Sequence, residues 1–250
     1  MKIFAKSAGL LCPIVFTAFF PAVPLYADDT MAEPTQPVQT SHLYYLPANQ
    51  PDAVALLAPP PLADSAEQAA DMAEVRAVCH AAPSNDVAAA FSEKKFSVFN
   101  FTPAVGAFFQ SNTLPKTTAF FAHVQKDAAA VTDNAKDYYR RPRPFVTDLG
   151  LASGKLEKSF SYPSGHATES MVLALVLADL FPDQHDAIIA EARAIGWHRV
   201  EIARHYPTDI YAGHVFAQAI VRQMKKSDAF QKNFAEVKAE VAAAQSAGNN

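Results

Sequence analysis

The run from Met171 to Leu180, Met-Val-Leu-Ala-Leu-Val-Leu-Ala-Asp-Leu, is apolar on nearly every side of a helix. A helix at a protein surface keeps one polar face toward water, so a helix without one has to be enclosed by other elements. Its polar start at Thr168-Glu169-Ser170 and the aspartate at 179 make it too short and too marked to cross a bilayer, which takes about 20 apolar residues. Several further helices are needed to wrap it.

The flanking sequence offers them. Asp64 to Cys79 is rich in helix formers, with Asp64 or Ser65 available as the N-cap. Asp86 to Phe99 predicts a second helix, and Leu114 to Tyr139 predicts one long helix or two shorter ones. The central helix runs over Gly165 to Leu180, followed by helices over Gln184 to Arg204, Asp209 to Lys226 and Asp228 to Ala244. On the last of these, Phe230, Phe234, Val237 and Val241 recur at helical spacing, a stripe for core packing. Residues 145–162 contain Gly150 and Gly154 and show no period, which predicts a loop. Repeats, heptads and alternating strand patterns are not evident. The expected fold is all-α, a single-domain helical bundle.

The N-terminus has a different character. Lys2 and Lys6 precede an apolar run from Leu10 to Phe20, and small residues lead to Ala27 just before Asp28-Asp29. This order predicts a signal peptide over residues 1–27, cleaved after Ala27, and hence a periplasmic or secreted protein. Cys12 follows the bulky Leu11, which does not suit lipidation. Cleavage removes two lysines and no acid, so the formal charge moves from 21 − 25 = −4 to 19 − 25 = −6. A mildly acidic chain of this kind predicts neither a nucleic-acid nor an anionic-membrane partner. Cys79 is then the one remaining cysteine and can form no intrachain disulfide. Residues 28–62, with Pro34, Pro37, Pro47, Pro51 and Pro59-Pro60-Pro61, read as an extended arm, leaving 63–250 as the helical domain. The arm and the apolar-striped last helix are compatible with a homodimer.

Three segments carry cations and small residues that packing alone does not require. In Lys136-Asp-Tyr-Tyr-Arg-Arg-Pro-Arg-Pro144, the prolines end a helix and restrict Arg141 and Arg143. A guanidinium on restricted backbone loses less freedom when it forks onto an oxyanion. Alone, such a segment is as readily a solvated surface patch. Tyr162-Pro-Ser-Gly-His166 stands directly before the buried helix. There the free amides of a helix start, the Ser164 hydroxyl and the open approach at Gly165 make an anion site with the His166 imidazole on its rim. A plain helix cap is the bland alternative. In the third segment, Arg199 shares a helical face with Ile195 and Ile202, where a buried cation needs an anionic partner. His205 and Asp209 flank Pro207, so the carboxylate can accept from one imidazole nitrogen and leave the other unprotonated. On its own, that pair equally describes a capping contact.

Together, Lys136-x6-Arg143-Pro144, Pro163-Ser164-Gly165-His166 and Arg199-x5-His205-x3-Asp209 resemble the signature of the type 2 phosphatidic acid phosphatase (PAP2) superfamily, which includes the vanadium-dependent haloperoxidases. Phe160-Ser-Tyr-Pro-Ser-Gly-His-Ala and the leader resemble its bacterial class A non-specific acid phosphatases. One residue departs from the pattern, His198 standing where the family usually has serine. The resemblance implies a broad-specificity phosphomonoesterase acting on small phosphate monoesters, with no cofactor and no metal. Lys136, Arg143, Ser164, Gly165 and Arg199 would bind the phosphoryl oxygens. His205 would be the nucleophile forming a phosphohistidine, with Asp209 orienting it and His166 as general acid and base. A vanadium-dependent haloperoxidase using the same anion site is the alternative activity. Tyr138, Tyr162, Phe101 or the 145–162 loop are the expected pocket walls.

Overall fold

The computed structural model describes residues 43–248, so the expected signal peptide and the first part of the arm lie outside the described residues. The helices are α1 (Ala53–Leu56), α2 (Ala66–Ala81), α3 (Ser84–Ser92), α4 (Thr102–Val105), α5 (Pro115–Tyr139), α6 (Pro144–Thr147), α7 (Gly165–Ala178), α8 (His185–Glu201), α9 (Pro207–Met224) and α10 (Asp228–Gly248). Short 3-10 turns lie at Val98–Phe101, Leu149–Leu151 and Pro182–Gln184. The described residues contain no β-strand, and the all-α bundle expected from the sequence is what forms. No helix among the described residues is long and apolar enough to cross a membrane.

The enclosed helix is α7. Ala167, Val172, Leu173, Ala174, Val176 and Leu177 are shut off from solvent completely, each larger side chain contributing about 2 kcal/mol by leaving water. α5, α8 and α9 pack around α7, α10 packs on α5, and α2 and α3 pack on α8. Phe230, Val237 and Val241 of the α10 stripe join the main core, with Phe234 partly buried against it. Gly213 allows α9 its close approach, because a Cβ there would stand 3.0 Å from both the Ser164 carbonyl oxygen and Thr168 Oγ1. That approach sets the start of α9 beside the start of α7, where the Asp209 carbonyl accepts from the Ser164 amide at 3.0 Å.

Two helices stop three or more residues earlier than the sequence predicts. α3 ends at Ser92 and does not reach Phe99. Ser97 instead starts a new turn, its hydroxyl accepting from the Phe99 amide while Asn100 Oδ1 accepts from the Ser97 amide. This reciprocal capping offers the backbone a local alternative to helix continuation. α8 ends at Glu201, short of Arg204. Ala203 takes a left-handed φ of 53°, and the Arg199 carbonyl accepts from the amides of both Arg204 and His205, at 2.8 and 3.2 Å. The stretch after residue 144, expected to be a loop, opens with α6, because Pro144 is pre-set for a first helical position.

Residues 44–46 are fastened to α5. The buried Asp127 carboxylate accepts from the amides of Tyr44, Tyr45 and Leu46, at 2.7 to 3.2 Å. Further along, Asp52 caps α1, and the Tyr162 hydroxyl donates to the Ala58 carbonyl at 2.5 Å.

Candidate active site

The expected site residues come from six places in the fold. Lys136 lies in the last turn of α5 and Arg143 just beyond that helix. Ser164 caps α7, with Gly165 and His166 opening it. Arg199 is in the last turn of α8, His205 in the turn that follows, and Asp209 in the first turn of α9. Contacts and electrostatic influence connect all of them into one region around His205.

Asp209 and His205 are the innermost pair. The fully buried Asp209 carboxylate places Oδ2 3.3 Å from His205 Nδ1. On the opposite side of the ring, Arg143 Nη1 stands 3.1 Å from Nε2. A guanidinium nitrogen can only donate, so Nε2 is the unprotonated nitrogen and Nδ1–H faces the carboxylate. Burial holds the His205 imidazole well below its ordinary pKa, and the charges of Arg143 and Lys136 push the same way. A neutral imidazole whose Nε2 lone pair accepts from Arg143, with cations around it, is the resulting state.

The cations are themselves buried. Lys136, Arg143 and Arg199 are each exposed by 7% or less, and desolvation is the main reason all three lie below their ordinary pKa, Arg199 at about 10. Arg143 is fixed by the Ser159 carbonyl and hydroxyl and by the Arg204 carbonyl, at 2.7, 3.0 and 2.8 Å. Arg199 donates to the Ala90 carbonyl near the end of α3 at 2.6 Å. Lys136 Nζ would stand 3.2 Å from a Cβ on Gly165, so its ammonium hangs directly over the start of α7. Ammonium, guanidinia and helix-start amides together suit a compact polyanion.

His166 Nε2 lies 3.2 Å from the Glu93 carbonyl oxygen, to which it donates, leaving Nδ1 for other work. Its ring packs against Phe96, with centroids 5.4 Å apart. Burial first, and the charges of Arg199, Lys136 and Arg143 next, push its pKa down to about 3, against the pull of the Glu93 carbonyl. Of the expected walls, Phe101 is fully buried and Tyr162 nearly so, both within the main core, while Tyr138 points outward at 55% exposure. Phe96, not among the expected walls, borders the site through its contact with His166.

Several participants were not picked out from the sequence. Arg141, read there only as restricted by Pro142, is buried and bridges two carboxylates, Asp71 Oδ2 on α2 and Asp209 Oδ1, both at 2.6 Å. Its guanidinium also lies 3.9 Å over the Tyr206 ring. The Ser161 hydroxyl donates to Asp209 Oδ2 at 2.5 Å, and the Tyr206 amide donates to the same oxygen at 2.9 Å. Glu93 grips His198 Nδ1 with both carboxylate oxygens, at 3.0 and 2.9 Å. Glu169 stands beside Lys136. The one signal for Arg141 was its place in a doubled Arg-Pro pattern; its partner Asp71 lies 70 residues away.

Residues 119–229 match the sequence profile of the PAP2 superfamily. A protein named non-specific acid phosphatase from Providencia stuartii is 31% identical over 95% of this chain and 98% of its own length. An acid phosphatase from Zymomonas mobilis is 26% identical over 91% of this chain and 88% of its own. A non-specific acid phosphatase from Salmonella typhi is 33% identical over 56% of this chain and 59% of its own. Among solved structures, a transmembrane PAP2-type phosphatidylglycerolphosphate phosphatase from Bacillus subtilis aligns with a TM-score of 0.47 and 19% identity, over 70% of this chain and 89% of that one. The chain belongs to the PAP2 superfamily. Within it, this is an acid phosphatase, a hydrolase of phosphate esters.

Proposed function

We propose that the enzyme is exported and hydrolyses a broad range of phosphate monoesters through a phosphohistidine on His205, without a metal ion. The observation that carries this reading is the His205 environment: Asp209 on Nδ1 at 3.3 Å and Arg143 on Nε2 at 3.1 Å leave the lone pair of a neutral imidazole at the clamp. Lys136, Arg143, Arg199, the Ser164 hydroxyl and the Gly165 amide are suited to hold the phosphoryl oxygens, neutralising their charge with side chains alone. Export is supported by the basic, then apolar, then small-residue order of residues 1–27. Breadth of substrate is supported by relatives named non-specific acid phosphatases.

In the proposed first step, His205 Nε2 attacks phosphorus and the ester P–O bond breaks, while His166 gives its Nδ1 proton to the leaving oxygen. In the second, His166 takes a proton from water, the oxygen attacks phosphorus, and the P–N bond breaks to release phosphate. His166 has a pKa of about 3 when the clamp is empty, partly because three cations face it. A bound phosphoryl dianion offsets those charges, so the general acid acquires its proton together with the substrate.

The purified protein is expected to hydrolyse p-nitrophenyl phosphate in excess EDTA, and His205→Ala to abolish that activity. Brief exposure to a radioactive phosphomonoester should leave a protein-bound label that is labile in acid and stable in base. Full activity in His205→Ala, or a strict requirement for added divalent metal, overturns the proposal.

A further inference from the structure

Glu169 follows Gly165 by one turn on α7 and shares its side of the helix. A Cβ placed on Gly165 would stand 3.2 Å from Lys136 Nζ and 3.5 Å from Glu169 Oε1. The carboxyl group and the ammonium therefore border one small volume, next to the Gly165 amide. From α5, Gln125 Nε2 donates to Glu169 Oε2 at 3.0 Å and reaches the Phe96 carbonyl at 3.3 Å. Oε2 is thus held as an acceptor, and Oε1 is turned toward the clamp.

The phosphoryl chemistry above gives an ionised carboxylate at this place no task. It would oppose a bound dianion inside a partly buried site, where like charges interact strongly. A neutral carboxyl behaves differently. Its Oε2 still accepts from Gln125, its proton sits on Oε1, and that O–H can donate to a phosphoryl oxygen. We propose that Glu169 is a proton-dependent phosphate ligand: protonated, it hydrogen-bonds the phosphoryl group beside Lys136, and ionised, it repels it. This rests on the reading of the clamp as a phosphate site and adds to it a proton taken up with the substrate.

The charged groups bearing on Glu169 are Lys136 and Asp133, both from α5, with the titratable His166 preceding it on α7. Burial pushes the Glu169 pKa up to about 7, Lys136 opposing that rise and Asp133 adding to it. Above that pH the competent fraction falls tenfold per unit, and apparent affinity falls with it.

The test is the pH dependence of KM and kcat for p-nitrophenyl phosphate in wild type and Glu169→Gln, whose amide is a permanent stand-in for the neutral acid. Wild-type KM should rise roughly 15-fold between pH 7 and pH 8.5, while the variant's should change less than about twofold. Coincident KM profiles overturn the proposal, as does a loss in the variant that is uniform at every pH. Should Glu169→Gln fail to fold, calorimetry of sulfate binding to His166→Ala, in two buffers of different ionisation enthalpy at pH 8, decides the matter. Uptake of about one proton per sulfate is expected, and no uptake overturns the assignment. Retained activity in His205→Ala would fail the phosphohistidine reading alone, because the proton uptake on sulfate binding does not depend on the nucleophile.

Discussion

Arg141 holds Asp209 by Oδ1 at 2.6 Å, the oxygen opposite the one that faces His205. The carboxylate that orients the imidazole is therefore itself oriented, by a guanidinium whose other arm is tied to Asp71 at 2.6 Å. Arg141→Gln should lower kcat for p-nitrophenyl phosphate about 100-fold, while the inhibition constant of inorganic phosphate stays within about threefold of wild type, since the clamp cations remain. Equal losses in both would place Arg141 in the clamp itself. The variant should also lose stability, because removing one partner of a buried pair costs roughly 3–5 kcal/mol.

Glu93 connects the departure at His198 to His166, the proposed general acid. Its carboxylate binds His198 Nδ1 and its carbonyl accepts from His166 Nε2 at 3.2 Å. The hydrogen bond that His198 donates to the Glu93 carboxylate raises the His198 pKa. A raised folded pKa stabilises below the unfolded value of about 6.5 and loses that contribution as pH rises through the folded value. The melting temperature of His198→Ala should therefore fall below wild type by more at pH 6 than at pH 9, as read by thermal unfolding. A deficit that is the same at both pH values would mean that His198 contributes by packing alone.

Asp127 should be a large single contributor to stability. It is fully buried and satisfies three consecutive backbone amides. Asp127→Ala strands those donors, and urea denaturation should show a loss of about 3 kcal/mol or more. The measured loss should coincide with proteolytic exposure of residues 43–62; a variant that keeps this segment protected contradicts the assignment.

Glu169 makes a stability prediction separate from catalysis. Its folded pKa of about 7 lies above the ordinary 4.5, so its contribution is present below 4.5 and is lost as pH rises toward 7. Glu169→Gln does not titrate. Its melting temperature relative to wild type should therefore improve from pH 5 to pH 8, by an amount on the order of several degrees. A constant offset across that range would contradict the raised pKa.

The bundle was legible because a helix with no polar side, here α7, admits few architectures. The gathering of cations was legible because cations inside apolar helical faces, such as Arg199 beside Ile195, have no packing purpose. What escaped was whatever depends on long-range partners. Arg143 is singled out by its spacing from Lys136, whereas the task of Arg141 depends on Asp71 and Asp209, which no local pattern reveals. Glu169 looked like the polar start of a buried helix, because Lys136 and Gln125 reach it only through the packing of α5 on α7. The early end of α3 was hidden because reciprocal capping at Ser97 and Asn100 competes with helix-forming neighbours.

Arg199 lines the proposed clamp with its side chain and carries the turn into His205 with its main chain, its carbonyl accepting the amides of both Arg204 and His205. The second task is indifferent to which side chain stands at 199. The cation and the aim of the proposed nucleophile are thus separable parts of one residue. Charge at this position can be edited, by mutation or by design, while the imidazole keeps its bearing. A site organised in this way can drift toward new anions by exchanging its side chains on a backbone frame that stays in place.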